Sequence, residues 1–533
     1  MTFWHILKRS SSVGVFGFLI LAGVGAALAQ APAANISATS IGASWPTFNG
    51  DYSGRRFSSL TQINQTNVKS LKLAWAFQTH AVTLKSTPLE VGGILYFTVP
   101  DLVWAVDAKT GEQVWQFRLA SQGDHLGQRG VAYYNGRIYF GNPNAYLFCL
   151  DARTGKTIWS VEVAKVTDGY YLSVAPLIIK GQVIIGTSGD DNNIPHYIEA
   201  FDWKTGKLLW KTHTLPEPGT PAAKTWPNDL AMSRGGGPAW MTGTYDPELN
   251  LIYWGTGNPH PVLAGTVRPG DNLYTCSILA LNADTGKMVW YFQSSPHDTH
   301  DWDAVETPVL FDGVVNGKPY KLLAQASRNG YFFVLDRKTG KNLVTAPFVP
   351  TNFAKGVGPN GSPIPDPAKE PQPDGTLVSS TVTGGTNWAA PSFDPETNLF
   401  YVNAFEGYSL WYLDLDKNGH ATNHSGGHSA SLFEKSVLLG IDYKTGKIRW
   451  RRESGKGDLD AGVLTTAGHV LFTADASGNL LALDPATGRM LWHTRPGGTR
   501  DNVQPITYEL DGTQYVVTGV DGVMYAWSLK GSL

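Results

Sequence analysis

Short apolar stretches separated by glycine-containing turns recur along most of the chain, and one arrangement of them is repeated. In each copy a strand-like stretch leads into a turn built on Thr-Gly, and a second strand-like stretch follows, in most copies ending in tryptophan. Glycine supplies the positive φ that such a turn needs, and the preceding aspartate can accept hydrogen bonds from the turn's own amides. The seven copies are AVDAKTGEQVW (105–115), CLDARTGKTIW (149–159), AFDWKTGKLLW (200–210), ALNADTGKMVW (280–290), VLDRKTGKNLV (334–344), GIDYKTGKIRW (440–450) and ALDPATGRMLW (482–492).

The repeats predict the fold. Most copies are preceded by another strand pair around a glycine-containing turn, such as VGGILYFTV or GQVIIGTSG, and the closest copies are 42 to 44 residues apart. Four strands per unit at a spacing of about 40 residues is typical of a propeller blade. With AWSLKGSL at the C-terminus as a degenerate eighth copy, the pattern predicts an all-β, eight-bladed β-propeller that forms one domain over residues 45–533.

The N-terminal segment has the features of a targeting sequence. A basic pair, Lys8-Arg9, precedes an apolar run that ends in the small-x-small sequence ALA (27–29) read by signal peptidase. The run is short and glycine-rich for a membrane span, and no later stretch approaches twenty apolar residues. We therefore expect a signal peptide over residues 1–29, a tail over residues 30–44, export to a periplasmic or extracellular space, and no stable membrane insertion.

Composition narrows the range of partners. The formal net charge is −2 and charged residues make up 16% of the chain, so nothing indicates a nucleic-acid or anionic-membrane partner. The 18 Trp, 59 Gly and 32 Pro suit short strands joined by many turns. Cys149 and Cys276 both lie in strand-like patterns and are expected to be buried thiols, although the sequence leaves a bridge between them open.

The densest cluster of titratable residues is HDTHDWD (297–303), which holds three aspartates and two histidines in seven positions. A metal site, a catalytic base and a polar loop between strands are all open on this pattern alone. Propellers bind ligands over the central channel with loops and strand ends from many blades. A functional site should therefore appear as scattered single residues rather than as one contiguous motif.

An ordered set of short motifs runs along the chain. It begins with SWPTFNGDYSGRRFSSLTQINQTNV and continues with QRGVAY, SVAP, GTSGDD, GGGPAW, GTGNP, RPGDN, PHDTHDWD, SRNGYFFVLDR and TNWAAPSFDP. In this order the motifs resemble those of the quinoprotein alcohol dehydrogenases, which use pyrroloquinoline quinone (PQQ). The tryptophan-bearing repeats alone are weakly specific because non-catalytic propellers share them, so the ordered set is what carries the resemblance.

The resemblance implies a set of residues that bind the quinone. Trp240 matches the tryptophan on which the flat tricyclic quinone stacks. Arg129 and Ser173 match residues that bind the quinone's carboxylates, a task that suits the permanently charged, bidentate guanidinium group. Asn387 and Trp388 match two further positions that contact the quinone.

The resemblance also implies two catalytic residues. Arg328 matches an arginine that contacts the quinone beside its reactive carbonyl oxygen, where it would stabilise developing negative charge. Asp301 matches the general base that removes the proton of the substrate hydroxyl while hydride passes to the quinone. His297 and His300 have no role in the resemblance and are expected either to be structural or to support the residues that form the site.

The implied metal site has only oxygen ligands, as a hard cation prefers. Asp191, Asn258 and Asp301 match positions at the family's metal, a Lewis acid that polarises the quinone carbonyl. Asp303 lies two residues beyond Asp301, and an extended segment projects such a pair to the same side. Calcium-dependent methanol dehydrogenases commonly carry a small uncharged residue there and lanthanide-dependent ones an aspartate. The metal is therefore expected to be a lanthanide(III) ion or Ca²⁺, with the lanthanide preferred.

The chain departs from the family pattern at several positions. Asp191 stands where the family usually has glutamate, which shortens the reach to the metal. Gly123-Asp124 occupies the place of a disulfide between adjacent cysteines, so the upper face of the quinone would be more open. Asp460 replaces a tryptophan under the channel, and Pro238 replaces a quinone-binding threonine. These departures bear on the substrate class.

The sequence thus predicts a periplasmic enzyme that oxidises a primary alcohol, or a related hydroxyl or aldehyde substrate, by hydride transfer to metal-bound PQQ. The 533 residues contain no C-x-x-C-H, so the electrons are expected to pass to a separate c-type cytochrome. A monomer and a homodimer are both open. The alternative is a non-catalytic propeller scaffold that binds partner proteins in the cell envelope, but a scaffold has no reason to retain Asp191, Asn258, Asp301 and Arg328 in order.

Overall fold

The repeats form antiparallel strand pairs, as their pattern predicts: in the first copy, residues 102–107 pair with residues 113–118. The structure is a computed structural model that describes residues 42–81, 84–122, 128–189, 192–420, 422–423, 425–457, 459–496 and 504–531. Within these residues the strands form six four-stranded sheets, two five-stranded sheets and one two-stranded ribbon. The fold is almost entirely β, as predicted, and the number of larger sheets is consistent with eight blades.

Two strands come before blade 1, and the next sixteen strands form blades 1 to 4. β1 (Phe57–Ser58) and β2 (Lys72–Gln78) come first. Blade 1 contains β3 (Leu89–Val91), β4 (Ile94–Val99), β5 (Leu102–Asp107) and β6 (Gln113–Arg118). Blade 2 contains β7 (Ala132–Tyr134), β8 (Arg137–Gly141), β9 (Tyr146–Asp151) and β10 (Thr157–Glu162). Blade 3 contains β11 (Leu177–Ile179), β12 (Gln182–Gly186), β13 (Tyr197–Asp202) and β14 (Leu208–His213). Blade 4 contains β15 (Thr244–Asp246), β16 (Leu251–Gly255), β17 (Ser277–Asn282) and β18 (Met288–Gln293).

The remaining strands form blades 5 to 8 and the ribbon. Blade 5 contains β19 (Val309–Val315), β20 (Lys318–Ala326), β21 (Tyr331–Asp336) and β22 (Lys341–Pro347). The ribbon is β23 (Ala354–Val357) with β24 (Pro363–Pro365). Blade 6 contains β25 (Thr376–Val378), β26 (Ser392–Asp394), β27 (Leu399–Leu413), β28 (Gly427–Asp442) and β29 (Ile448–Lys456). Blade 7 contains β30 (Leu464–Thr466), β31 (Val470–Ala474), β32 (Leu480–Leu483) and β33 (Met490–Thr494), with β1 added beside β30. Blade 8 contains β34 (Ile506–Leu510), β35 (Thr513–Val520) and β36 (Val523–Ser528), and β2 completes it.

Helical structure is short and confined to the connections. The α-helix α1 spans Asp229–Ser233, and its N-cap residue Asn228 accepts a hydrogen bond from the backbone N–H of Ala231 through its side chain. The 3₁₀ turns are Val68–Ser70, Val166–Asp168, Ala222–Thr225, Gly265–Val267 and Pro367–Lys369. No helix of the described residues is both long and apolar enough to span a membrane.

The repeated turn has the geometry that its residues predict. In the first copy the Oδ1 atom of Asp107 accepts hydrogen bonds from the backbone N–H groups of Lys109 and Thr110, at 2.9 and 2.8 Å. Gly111 has a φ of 76°, a left-handed conformation that glycine adopts at little cost. The equivalent aspartate or asparagine accepts such a hydrogen bond in blades 2 to 7, so the same local chemistry sets the outer hairpin of blades 1 to 7.

At six of the eight blade boundaries a tryptophan of one blade packs on the turn glycine of the next. The indole of Trp115 in blade 1 lies on Gly155 in blade 2, and a Cβ added to Gly155 would come within 2.7 Å of the ring. The Nε1 atom of Trp115 donates a hydrogen bond to the carbonyl of Ala152, at 2.9 Å. The same packing occurs for Trp75 on Gly111, Trp159 on Gly206, Trp210 on Gly286, Trp290 on Gly340 and Trp450 on Gly488. The tryptophan and the glycine of the repeat are thus two halves of one contact.

The copy without a terminal tryptophan makes a smaller contact at the same place. In blade 5 the repeat ends in Val344, and the glycine of the next blade, Gly446, faces Ala346 at 2.4 Å from the position of an added Cβ. The boundary between blades 5 and 6 therefore keeps the glycine and replaces the indole by aliphatic side chains.

The degenerate C-terminal copy is completed by the start of the chain. β36 is the first strand of that copy, and β2 pairs antiparallel with it in place of a second C-terminal strand. Trp75 in β2 supplies the indole that packs on blade 1. The copy lacks its own second strand and final tryptophan because both come from residues 72–78, and this pairing closes the ring.

The two cysteines are core residues, as the sequence predicts. Cys149 and Cys276 are both free and buried, which confirms two core thiols.

The insertion before blade 6 is more ordered than the sequence predicts. The Pro- and Gly-rich composition of residues 350–386 predicts a long surface loop, but these residues contain β23, β24, a 3₁₀ turn and β25. The prediction of a loop is wrong here because β27 extends well beyond the usual length of a blade strand and β25 pairs with the extension.

The predicted signal peptide, residues 1–29, lies outside the described residues.

The blade contact makes a prediction about stability. Gly155→Ala should destabilise the protein more than Gly136→Ala in the same blade. Both glycines have positive φ, 69° and 77°, but a Cβ at Gly136 meets nothing within 4 Å. The backbone cost of about 1 kcal/mol is common to both, and steric conflict with Trp115 should add about 1–3 kcal/mol for Gly155→Ala. Urea unfolding followed by tryptophan fluorescence measures the difference, and equal losses would contradict the proposed contact.

Candidate active site

A cavity of about 290 Å³ lies where the segments that lead into the blades meet, near the lower end of the roughly 300–1,000 Å³ typical of small-molecule pockets. Five of its lining residues lie four positions before a strand that opens a blade. These are Lys85 before β3, Ser173 before β11, Trp240 before β15, Trp388 before β26 and Asp460 before β30. Equivalent positions of five blades thus converge on one cavity. The other lining residues are Arg129, Tyr171, Arg328, Val382, Thr383 and Asn387.

All six residues that the resemblance matched to quinone contacts lie on the wall of this cavity. They are Arg129, Ser173, Trp240, Arg328, Asn387 and Trp388. They come from the approach to four different blades and from the β20–β21 turn, so only the closed ring brings them together.

Two indoles and a guanidinium group form one side of the cavity. The Cζ atom of Arg129 lies 4.4 Å from the ring centroid of Trp240 and 5.4 Å from that of Trp388. Such distances allow favourable cation–π contact with both rings. The Nη1 atom of Arg129 also donates a hydrogen bond to Ser173 Oγ, at 2.9 Å. The wall thus combines aromatic faces with a fixed positive charge, which suits a planar, anionic ligand.

The end of the insertion before blade 6 forms another part of the wall. The carbonyl of Val382 accepts a hydrogen bond from Arg328 Nη2 at 2.7 Å. The Nδ2 atom of Asn387 donates to the carbonyl of Thr383 at 3.0 Å, and its Oδ1 atom accepts from the backbone N–H of Trp388 at 2.8 Å. These bonds fix the orientation of Asn387 and connect the insertion to Arg328.

Arg328 holds two carboxylates at once. Its Nη2 atom lies 3.0 Å from Asp301 Oδ2, and its Nη1 atom lies 3.0 Å from Asp303 Oδ2. Burial alone would lower the pKa of Arg328, but the two aspartates outweigh it and raise that pKa above its ordinary value. The guanidinium therefore stays charged and links the cavity to both carboxylates.

Asp303 is almost fully enclosed by N–H donors. Its Oδ1 atom accepts from the backbone N–H of Asn258 at 2.6 Å, and its Oδ2 atom accepts from Trp240 Nε1 at 2.8 Å as well as from Arg328. The approach requires Gly257, because a Cβ there would lie 2.8 Å from Asp303 Oδ1. Burial raises the pKa of Asp303, against the lowering effects of Arg328 and the indole N–H. A carboxylate has about four lone-pair sites, so one remains for another partner.

Asp301 has a different environment although it shares the same arginine. Its side chain is 28% exposed, compared with 3% for that of Asp303. Its backbone is left-handed, with a φ of 63°, an uncommon conformation for a residue other than glycine. Of the two carboxylates, Asp301 is therefore the one that solvent and a small molecule can reach.

The residues matched to the metal are only partly brought together in the described structure. Asp301 and Asp303 both contact Arg328, and the backbone N–H of Asn258 donates to Asp303. Asp191 lies outside the described residues, as does Gly123-Asp124. Among the described residues no group of three or more His, Cys, Asp or Glu side chains forms a metal-binding cluster. The carboxylate and amide oxygens present have the chemistry that a hard cation prefers.

The two histidines of the HDTHDWD stretch make structural contacts. His300 stacks on Trp302 with ring centroids 4.4 Å apart, and its Nε2 atom contacts the carbonyl of Lys369 at 3.0 Å. Burial lowers the pKa of His300 to about 3, so its ring is neutral at physiological pH. The Nδ1 atom of His297 lies 2.8 Å from the carbonyl of Gly270. Neither ring lines the cavity.

Comparison with known proteins identifies the family. The family model described as the glucose/ethanol/alcohol dehydrogenase β-propeller domain matches residues 45–356. The quinoprotein alcohol dehydrogenase PedH of Pseudomonas putida is 37% identical over an alignment that covers 89% of this chain and 86% of the relative. The chain belongs to the family of PQQ-dependent alcohol dehydrogenases.

Solved structures agree with this assignment of the dehydrogenase. The crystal structure of the quinohemoprotein alcohol dehydrogenase from Comamonas testosteroni matches with a TM-score of 0.87 at 33% identity and covers 94% of this chain and 82% of that one. A europium-containing methanol dehydrogenase matches with a TM-score of 0.82 at 28% identity and covers 91% and 98%. A model described as the outer membrane protein assembly factor BamB matches residues 434–532, a segment that contains none of the predicted site residues.

The cavity of this PQQ-dependent dehydrogenase fits the cofactor by its chemistry. PQQ is a flat aromatic quinone with three carboxylates, and the wall supplies two indoles together with Lys85, Arg129 and Arg328 as cations. The carboxylates of Asp301 and Asp303 adjoin Arg328 and suit the metal ion that accompanies PQQ in the family. The donor set therefore matches both the ring system and the charge of the cofactor.

Sequence reasoning missed several residues of the wall in this dehydrogenase. Lys85, Tyr171, Val382 and Thr383 line the cavity although no motif indicates them, and Asp460 is distinguished in the sequence only as a departure from the family pattern. An alignment of the blades on their opening strands would have found Lys85 and Asp460, since both occupy the position of Trp240. Val382 and Thr383 carry no comparable signal, because they belong to an insertion outside the repeat.

The shared arginine makes a prediction about stability and pH. Arg328→Met leaves Asp303 buried without its cation and should cost about 3–5 kcal/mol at neutral pH. The pKa of Asp303, already raised, should rise further. The penalty should then be small below the unfolded-state pKa of an aspartate, grow as the pH rises from there to the folded-state pKa of Asp303, and level off above it. Urea unfolding of both proteins at pH 5 and pH 8 measures this.

A second variant separates the charge of Asp303 from loss of packing. Asp303→Asn in the Arg328→Met background removes the unpaired charge and should recover part of the stability at pH 8. If the double variant is no more stable than Arg328→Met at pH 8, the penalty does not come from Asp303.

Proposed function

We propose that this protein oxidises a primary alcohol, or a related hydroxyl or aldehyde substrate, with PQQ and a metal ion bound in the cavity. The observation that supports the proposal best is the convergence of all six matched quinone contacts on one cavity whose wall includes Arg328, the partner of Asp301 and Asp303. A scaffold without catalysis would not need two carboxylates on one buried arginine beside an aromatic cavity.

In this proposal the wall binds and orients the cofactor. Trp240 and Trp388 contact the ring system, Arg129 and Ser173 bind carboxylate oxygens, and Asn387 donates to a polar atom at the ring edge. Arg129 is held by Ser173 and by both indoles in the structure, so it needs little reordering when it binds an anion. When bound, PQQ would supply the acceptor for hydride from the substrate carbon, and the metal ion would supply Lewis-acid polarisation of the quinone carbonyl.

Asp301 and Arg328 have the catalytic roles. Asp301 is the carboxylate that a substrate can reach, and it would take the proton of the substrate hydroxyl at a carboxylate oxygen. Arg328 would stabilise negative charge that develops on oxygen next to its guanidinium group. Asp303, which is buried and accepts three hydrogen bonds, is poorly placed to exchange protons with a substrate.

The metal site in the proposal uses Asp191, Asn258, Asp301 and Asp303, with a lanthanide(III) ion preferred over Ca²⁺. Three carboxylates in addition to those of PQQ favour a trivalent ion, because greater charge on the ion offsets their mutual repulsion. A europium-containing relative of 28% identity supports this choice. The remaining lone-pair site of Asp303 leaves room for the ion at that carboxylate.

We further propose a periplasmic location and a separate electron acceptor. Residues 1–29 would be a signal peptide, residues 30–44 a tail, and residues 45–533 one propeller domain in the periplasm. Because the chain contains no C-x-x-C-H, the electrons would leave to a separate c-type cytochrome. The test of the whole proposal is reconstitution with PQQ and either La³⁺ or Ca²⁺, followed by assay of alcohols with a dye acceptor. Absence of quinone binding with every metal would favour the scaffold alternative.

The catalytic base can be tested by one substitution. Asp301→Asn keeps the shape of the side chain but cannot accept the substrate proton, so turnover should fall by roughly 10²–10⁴. PQQ binding, followed by quinone absorbance, should change little. Unchanged turnover in this variant would show that another residue is the base.

The metal preference can be tested at Asp303. La³⁺ or Ce³⁺ should support more activity than Ca²⁺ in the parent, and Asp303→Ala should remove the lanthanide-supported part selectively. Because Asp303 also holds Trp240 and Arg328, the thermal midpoint of the variant is measured alongside. Equal activity with Ca²⁺ in parent and variant, with none from lanthanide, would contradict the proposed role.

A further inference from the structure

A third cation lies on the cavity wall beside the two arginines. Lys85 is half-buried, and its Nζ atom lies 5.5 Å from the ring centroid of Trp388. The guanidinium of Arg129 lies 5.4 Å from the centroid of the same ring. Two positive groups therefore border one indole on the wall of the same cavity.

The backbone fixes this arrangement. The N–H of Thr87 donates to the carbonyl of Arg129 at 3.0 Å, and the N–H of Arg129 donates to the carbonyl of Ser173 at 2.9 Å. The segments that lead into blades 1, 2 and 3 are thus joined by backbone hydrogen bonds. Lys85 lies two residues before Thr87. The segment that carries Lys85 is therefore tied through Thr87 to the segments that carry Arg129 and Ser173, and all three residues line the cavity.

The charges on the wall are unevenly distributed. Arg328 is balanced by Asp301 and Asp303, both within 3.0 Å of its guanidinium nitrogens. Lys85 and Arg129 border the Trp388 side, and Asp460 is the one acidic residue among the described lining residues. A ligand that carries three carboxylates is costly to desolvate without cationic partners, so each cation of the wall favours its binding.

We propose that Lys85 binds a carboxylate of PQQ together with Arg129, which rests on the proposed function of the cavity. The ammonium group would donate a charge-assisted hydrogen bond to that carboxylate, and Trp388 would support its aliphatic stem. Lys85 is thereby a cofactor-binding residue at the position of blade 1 that is equivalent to Trp240 in blade 4. No proton transfer or redox step is assigned to it.

The experiment measures PQQ binding rather than turnover. The full chain is titrated with PQQ in the presence of La³⁺ and without substrate, and quenching of tryptophan fluorescence gives Kd. Lys85→Gln should raise Kd about tenfold, the effect of losing one charge-assisted hydrogen bond. Lys85→Arg should stay close to the parent, and Lys85→Glu should raise Kd more than Lys85→Gln does. The loss should shrink at high salt because the half-buried charge is partly screened.

Two controls isolate the carboxylate contact. Lys204→Gln removes a lysine whose Nζ atom lies 5.2 Å from the ring of Trp203, a similar contact outside the cavity, and should leave Kd unchanged. The trimethyl ester of PQQ lacks the anionic groups, so parent and Lys85→Gln should bind it equally.

The outcomes separate this inference from the proposed function. If the parent binds PQQ and Lys85→Gln binds it within twofold of the parent, Lys85 is not a cofactor contact and the inference fails alone. The inference also fails alone if Kd for PQQ is unchanged but KM for a carboxylate-bearing alcohol rises, because Lys85 would then bind the substrate. If the parent binds no PQQ with any metal, the proposed function fails and the inference fails with it.

Discussion

The fold depends on a tryptophan of one blade packing on the turn glycine of the next. The contact is possible only because glycine combines a left-handed φ with the absence of a Cβ, so the indole can lie directly on the backbone. At most boundaries the indole N–H also donates to a nearby carbonyl or side-chain oxygen. A repeat of this kind stacks blade on blade, and the pairing of β2 with β36 converts the stack into a closed ring.

Closure of the ring determines what the cavity can contain. Lys85 belongs to blade 1 and Asp460 to blade 7, yet both line the same space because β2 ties the two ends of the chain together. The five residues that precede opening strands occupy equivalent places, and their chemistry differs widely: an ammonium, a hydroxyl, two indoles and a carboxylate. The blades thus provide a set of equivalent positions at the cavity. The side chain at each position can differ in chemistry without a change in the fold of its blade.

The fold is largely predictable from the sequence, whereas the site is predictable only in part. The Thr-Gly turns act locally, so the repeat alone indicates the strands, and the degenerate last copy is explained by the strand β2 that completes it. The matched quinone contacts can be located by motif. Lys85 cannot, because it is distinguished by its position four residues before β3 and not by the sequence on either side of it. The three N–H donors around Asp303 come from residues far apart in sequence, Trp240, Asn258 and Arg328, and no local pattern indicates such an arrangement.

Because of these shared contacts, the site cannot be divided into independent parts. Arg328 holds Asp301 and Asp303 through separate nitrogens of one rigid plane, and Asp303 also holds the indole of Trp240. A change in the position or charge of Asp303 must therefore reach the partly exposed carboxylate of Asp301 through the guanidinium, and the aromatic wall through the indole. Because the effects of neighbouring groups in one network are not additive, the charge of Asp303, the orientation of the Trp240 indole and the position of the Asp301 carboxylate are properties of a single cluster.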